Sequence, residues 1–306
     1  MPRPLRVATR SSALARWQAE RVASLLGGEV ELVLVTTAGD VDLTTPLHTL
    51  GGTGVFVKEV QAAVLDGRAD LAVHSAKDLP ASETPDGLVL AAVPERADPR
   101  DALVGCTLAA LPPGARVATG SVRRRAQLTA LRPDLTFAEL RGNIATRLEK
   151  AAGFDAIVVA LAALVRLGLD DQVADVLDPL DVCPQAGQGA LAVECRVDDT
   201  ETRTRLVAID DGRVHRSVDA ERAFLAELGS GCDLPCGALA RNVDEDVAVR
   251  GVLASLDGRV VLRGEVTDSD PRRAGRRLAG HLLANGGRGL LSDDAPRAVP
   301  PTGGTR

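Results

Sequence analysis

Short apolar runs alternate with amphipathic stretches through the first two thirds of the chain, the pattern left by βα units that feed a largely parallel sheet. "LRVATR" (5–10) reads as a strand and leads into "SSALARWQAERVASLLGG", where Ser11 or Ser12 caps a helix. Ala15, Ala19, Val22 and Leu26 share one face of that helix, and Gly27 and Gly28 end it. "VELVLVTT" (30–37) predicts a second strand, "VFVKEVQAAVLDG" (55–67) a second helix and "ADLAVH" (69–74) a third strand. "PERADPRD" (94–101) interrupts the pattern as a linker does, and a second series follows. Its strands fall at 116–119, 136–140 and 155–160, and its helices begin near Ser121, Ile144 and Leu161. In "CPQAGQGALAVECR" (183–196) a Gly-rich turn precedes an apolar strand that carries the chain back towards the first sheet.

From about Val214 the texture changes. A helix over 218–228 is followed by a cysteine-bearing loop and two apolar runs joined by "LDGR", where Asp257-Gly258 signals a hairpin. The closing helix has Asp270 at its cap, Pro271 at its first position and Gly286 past its end. The fold class expected is therefore α/β: two α/β lobes flanking a cleft, plus a small α+β C-terminal domain. The expected boundaries are 1–95 with 189–210 for the first lobe, 99–186 for the second and 214–291 for the third domain. "RVHRSVD" (213–219) reads as a second linker, and the Pro/Gly-rich stretch 292–306 as a disordered tail.

An apolar fraction of 45% over 306 residues is that of an ordinary globular protein of two or three domains. A net charge of −6 argues against a general nucleic-acid binder, so any anion site must be local. No apolar run approaches the roughly 18 to 20 residues needed to cross a bilayer. The N-terminus lacks the apolar core of a signal peptide, which makes a cytoplasmic protein the expectation. Five cysteines, an odd number, do not form a disulfide framework and stay reduced in that compartment. With one Trp, four Phe and no Tyr, stacking platforms for bases are absent.

Ligands of α/β sheets collect at the C-terminal ends of strands, and four polar clusters stand at such ends. They are Arg10-Ser11-Ser12, His74 to Asp78 with Ser75 among them, "TGSVRRR" (119–125) and "RGNIATR" (141–147). Arg123 and Arg124 fall in the first turn of a helix, where the dipole disfavours cations unless an anion sits with them. Solvated arginines on an exposed face are the plain alternative. Several guanidiniums converging with Lys77 point to a ligand with several carboxylates. Asp78, an acid inside this cationic set, either pairs structurally or stabilises positive charge that appears on a substrate. His74 reads as a structural residue. Cys232, in "GSGCDLPCG", is either an ordinary reduced cysteine or an exposed thiol able to act as nucleophile or attachment point. Cys232 and Cys236 have no second Cys/His pair at zinc-finger spacing, so no metal is expected. Cys106, Cys183 and Cys195 read as core residues.

In this order the clusters resemble the porphobilinogen deaminase family, also called hydroxymethylbilane synthases. The matching stretches include "ATRSSALA", "GGTGVFVKE", "ADLAVHSAKDLP", "ERADPRDAL", "RRRAQL", "LRGNIATRL", "DAIVVALAAL", "AGQGALAVECR", "ERAFL" and "GCDLPCGA", and they span about residues 5 to 290. The resemblance implies a transferase of tetrapyrrole biosynthesis that joins four porphobilinogen molecules head to tail, with loss of ammonia, into hydroxymethylbilane. It implies a dipyrromethane cofactor attached by a thioether to Cys232, and a catalytic aspartate at Asp78 within the His-Ser-x-Lys-Asp-x-Pro motif. Cofactor contacts carry over to Lys77, Thr119, Ser121, Arg123, Arg124, Arg141, Arg147 and Gln188. Substrate contacts carry over to Arg10, Ser12, Ser75, Arg147 and Arg166. A monomer is implied, with the first two lobes like those of periplasmic binding proteins; with the charge and the apolar runs above, no nucleic-acid or membrane partner is expected. Two departures stand out: Thr53 where many members have lysine, and Gly120 in place of a frequent serine. The main rival is a two-lobed polycarboxylate-binding module without catalysis, since fold alone does not separate receptor from enzyme. A cysteine hydrolase built on Cys232 lacks a partner signature.

Overall fold

A computed structural model describes residues 3–41, 54–81, 84–229 and 234–291. The chain opens with β1 (Leu5–Arg10), α1 (Ala13–Leu26), β2 (Val30–Val35), α2 (Ala38–Val41), α3 (Lys58–Leu65), β3 (Leu71–Ser75) and β4 (Leu88–Ala92). It continues through β5 (Asp101–Val104), β6 (Arg116–Ala118), α4 (Val122–Leu131), β7 (Thr136–Ala138), α5 (Ile144–Ala151), β8 (Ala156–Ala160), α6 (Leu161–Arg166) and β9 (Val173–Val176). Then come β10 (Leu191–Arg196), α7 (Thr200–Val207), α8 (Gly212–Glu227), β11 (Cys236–Val243), β12 (Asp246–Ala254), β13 (Val261–Asp268), α9 (Pro271–Leu282) and α10 (Arg288–Leu291).

Two five-stranded sheets share one wiring, in the orders β2-β1-β3-β10-β4 and β7-β6-β8-β5-β9. β1 runs parallel to β2 and β3, and β6 parallel to β7 and β8. Each sheet receives one antiparallel strand directly after the chain crosses from the other. β5 lies between β8 and β9, and β10 between β3 and β4. The first sheet is buried on both faces, as parallel strands require. Val7, Leu71, Val73, Leu191 and Val193 pack with Ala19 and Val22 of α1, while Ala8 and Ala72 pack with Val60, Ala63 and Val64 of α3. The third sheet, β11-β12-β13, is an antiparallel meander whose core holds Phe224 of α8 and Leu278 and Leu282 of α9. At Gly275 a Cβ would lie 2.1 Å from Ala220 O, so glycine is what lets α8 and α9 cross.

Several expectations need correction. "RVHRSVD" is not a linker: it lies inside α8, which starts at Gly212 because Asp211 accepts from the N–H groups of Arg213 and Val214 at 3.0 and 3.2 Å. "PERADPRD" does carry the chain from β4 of one sheet to β5 of the other, but it is pinned. Arg96 bridges to Ala190, Arg100 pairs with Asp98 at 2.6 Å, and Asp101 already belongs to β5. Strands β4, β5, β9 and β11 lack the sequence pattern that marks the others. Pro271 opens α9 behind the Asp270 cap as expected, and Gly258 (φ 70) turns the β12-β13 hairpin. The tail at 292–306 lies outside the described residues.

Candidate functional site

The parallel strands of both sheets deliver their C-terminal ends to one cluster whose centre is Asp101, the first residue of β5. Its buried carboxylate accepts from Arg123 Nη2 at 2.8 Å, from Arg124 Nη2 and Nε at 2.7 and 3.1 Å, and from Gln188 Nε2 at 2.7 Å. Burial alone would raise its pKa, but the two guanidinium charges hold it well below the usual carboxylate range. Arg123 also donates to Cys183 O at 2.6 Å, and Arg124 to Val158 O at 3.0 Å. The anion demanded by two arginines at the start of α4 is thus supplied by the chain itself. Ser121 caps that helix by accepting from Arg124 N at 3.4 Å, and Thr119 Oγ1 accepts from Ser121 N at 3.2 Å.

Gln188 extends the cluster towards the exit of β3. Its Oε1 accepts from Lys77 Nζ at 3.3 Å, and its Nε2 also donates to Pro99 O at 2.7 Å. Lys77 and Asp78 sit in a single short turn after β3, fixed where Gln185 donates to Lys77 O at 3.1 Å. Gly187 (φ +74) is required opposite that turn, because a Cβ there would lie 2.9 Å from Lys77 N. Burial pushes the Lys77 ammonium down to about 8, with Asp78 opposing the shift and Arg124 adding to it.

Arg147, on α5, donates Nε to Gly142 O at 2.8 Å and forms no ion pair among the described residues. Burial and the neighbouring charges of Arg124 and Arg141 push it down to about 10, against the pull of Asp78. Arg141 is buried, and its carbonyl accepts from Lys150 at 3.2 Å. The Asp78 carboxylate, half-buried, accepts no hydrogen bond among the described residues. Lys77, Asp78, Arg124, Arg141 and Arg147 therefore act on one another electrostatically, while Lys77 and Arg147 have no carboxylate ion pair among the described residues. That donor set fits a ligand with several carboxylates.

The other expected site residues stand around α1. Ser12 caps it by accepting from Ala15 N at 3.3 Å, and Ser75 accepts from buried Gln18 at 2.8 Å. Arg10 is held by Asp40 and lies over the Phe56 ring at 4.2 Å. Arg166 donates to Gly189 O at 2.7 Å and lies over Trp17 at 5.4 Å. Cys232 and Thr53 lie outside the described residues. At Gly120 a Cβ would lie 3.0 Å from Leu140 O, so a serine there displaces a neighbour. His74 is buried with its Nε2 3.1 Å from Glu194 Oε2, a structural pairing completed by Gln61. The described residues hold no cluster of metal ligands, and no helix among them is long and apolar enough to cross a membrane.

Sequence reasoning missed three organising residues: Asp101, Arg96 and Glu221. Fully buried Glu221 accepts from Arg96 at 2.7 and 3.1 Å, from Gly187 N at 2.6 Å and from Ala240 N at 2.7 Å. One carboxylate thereby ties α8 and β11, the elements on either side of the Cys232 stretch, to the turn that carries Gln188. The signal was present, since these residues lie within "ERADPRDAL" and "ERAFL".

Comparison with known proteins gives a family model described as porphobilinogen deaminase, dipyromethane cofactor binding domain, over residues 5–204. A second, porphobilinogen deaminase, C-terminal domain, matches residues 215–284. A porphobilinogen deaminase of Roseiflexus sp. (strain RS-1) is 48% identical over 305 residues, covering 95% of this chain and 100% of that one. One from Acidithiobacillus ferrooxidans is 46% identical over 303 residues, covering 96% and 99%. Among solved structures, an amino acid ABC transporter substrate-binding protein from Streptococcus pneumoniae aligns at 15% identity with a TM-score of 0.34, over 72% of this chain and 92% of that one.

Proposed function

Since the chain belongs to the porphobilinogen deaminase family, enzymes of tetrapyrrole biosynthesis built on a dipyrromethane cofactor, we propose which of its residues hold that cofactor and run the condensation. The observation that carries the assignment is the pair of desolvated cations, Lys77 and Arg147, that feel the charge of Asp78 and have no carboxylate ion pair among the described residues. Lys77, Arg141 and Arg147 take the acetate and propionate groups of the bound pyrroles. Thr119, Ser121, Arg123, Arg124 and Gln188 build the wall behind them, with Asp101 fixing the two arginines. Arg10, Ser12, Ser75 and Arg166 serve the incoming porphobilinogen.

Cys232 would hold the dipyrromethane through its sulfur, and that group would supply the electron-rich pyrrole carbon to which the first ring is joined, later rings being joined to the end of the growing chain. Asp78 does the proton work. Loss of ammonia from porphobilinogen leaves positive charge on the pyrrole, and an ionised carboxylate beside it stabilises that charge. The same carboxylate relays a proton to the departing amine and receives one from the ring. We class the protein as a transferase and place it in the cytoplasm as a monomer that binds no nucleic acid. A receptor that only binds polycarboxylates has no use for a third domain carrying an attachment thiol.

Intact mass under denaturing conditions tests the assignment. The parent carries a covalent excess of about two pyrrole units (from the cofactor's composition) and Cys232→Ser carries none. A parent that stays unmodified after incubation with porphobilinogen overturns it.

A further inference from the structure

Between α1 and α6 lies a cavity that the carboxylate cluster around Asp101 does not use. It has a volume of ≈ 440 Å³ and is lined by Ser11, Arg16, Trp17, Glu20, Arg166 and Leu167. Arg166, only 8% exposed, is anchored by Gly189 O, yet its buried Nε has no hydrogen-bond partner. Its guanidinium forms no ion pair among the described residues, although Glu95 lies near enough to favour the charge. Arg16 and Glu20 stand one turn apart on the exposed side of α1, and neither forms an ion pair among the described residues although the spacing permits one. The lining thus offers two guanidiniums, one carboxylate and one indole.

A ligand bearing only carboxylates would meet repulsion from Glu20, whereas a pyrrole with two acid side chains and an aminomethyl group matches every charge. We propose that this cavity is a loading site for one porphobilinogen molecule. Arg16 and Arg166 take its two carboxylates, Glu20 takes its ammonium, and the pyrrole lies against Trp17. The assignment rests on the porphobilinogen reading of the cleft. The volume falls within the range of about 300–1,000 Å³ found for small-molecule sites.

Trp17 is the only tryptophan, so its emission reports directly on this cavity. Holoenzyme mixed with porphobilinogen in a stopped-flow fluorimeter gives a saturable change in emission that precedes ring addition. Arg16→Gln and Glu20→Gln each lower kcat/KM by about tenfold, as expected for a charge-assisted contact, with the loss in KM. A pyrrole diacid with methyl in place of aminomethyl binds Glu20→Gln more tightly than the parent, because the variant no longer repels it. Retention of the parent's kcat/KM by both variants, or a Trp17 signal that ignores porphobilinogen while product still forms, overturns the loading site alone. A parent that gains no pyrrole mass overturns the family chemistry and the loading site together.

Discussion

Lys77 and Gln188 meet at 3.3 Å, and the amide that receives the lysine proton hands its own N–H to Asp101 at 2.7 Å. A neutral side chain thereby links the cation at the exit of β3 to the buried anion at the start of β5. Its orientation is set by charge: the carbonyl must face the ammonium and the amide nitrogen the carboxylate.

Gln188→Leu removes both contacts while leaving Asp101 its two arginines. The expected loss is about 1–3 kcal/mol, the cost of buried polar groups left without partners. Gln188→Glu is worse at Asp101, where it sets two buried carboxylates against each other. Urea midpoints check this, and a Leu variant as stable as the parent would show that the bridge is incidental.

Asp101→Asn leaves Arg123 and Arg124 buried beside a neutral group, with an expected loss of about 3–5 kcal/mol. The pH dependence has a definite sign. Because the folded carboxyl is held below its unfolded value of about 4, its stabilisation is complete above that pH and fades as pH falls through the folded value. The gap between parent and Asn variant therefore narrows with acidification. Unfolding free energies measured from neutral to acid pH give that gap, and one that widens instead contradicts the pairing.

Lys77 titrates near 8 instead of 10.5. In that interval the unfolded chain binds the extra proton, so this group's contribution to stability rises with pH across it. Its attraction for carboxylates runs the other way, full below about 8 and fading above. The rate at which apoprotein gains covalent pyrrole mass from porphobilinogen is expected to fall through that pH, and Lys77→Arg to keep the rate on the alkaline side. An identical alkaline limb in both proteins would assign it to another group.

The parallel core was legible because β8 is a continuous apolar run and β1, with Leu5, Val7 and Ala8, leads directly into a helix capped by Ser12. β5 and β9 have four residues each, and their partners lie far along the chain, so no local period marks them. β11 hides for another reason: its turn into β12 places Asp244 at φ 51 with no glycine to announce it. The same limit applied to the site. The conflict of Arg123 and Arg124 with the α4 dipole was visible in sequence, but the anion that resolves it stands in a stretch that reads as a linker. Asp78 and Lys77 were found because they are adjacent. Glu221, which gathers Arg96, Gly187 and Ala240 from three separate parts of the chain, was not.

Asp78→Asn isolates the proton work from the architecture. The carboxylate accepts no hydrogen bond among the described residues and is half-buried, so replacing one oxygen by an amide changes little in the fold. The thermal midpoint is therefore expected within a degree or two of the parent's, since surface-type substitutions fall within about 0.5 kcal/mol. Turnover is another matter. The amide neither stabilises a cation as a carboxylate does nor carries a proton, and acid–base groups alone contribute on the order of 100- to 10,000-fold. Lys77, losing its neighbouring anion, titrates lower still, because Asp78 is the charge that opposes its burial. Porphobilinogen consumption by the purified variant, beside its melting curve, decides the matter. An Asn protein that melts like the parent and keeps more than about a tenth of its turnover would move the proton work to another residue.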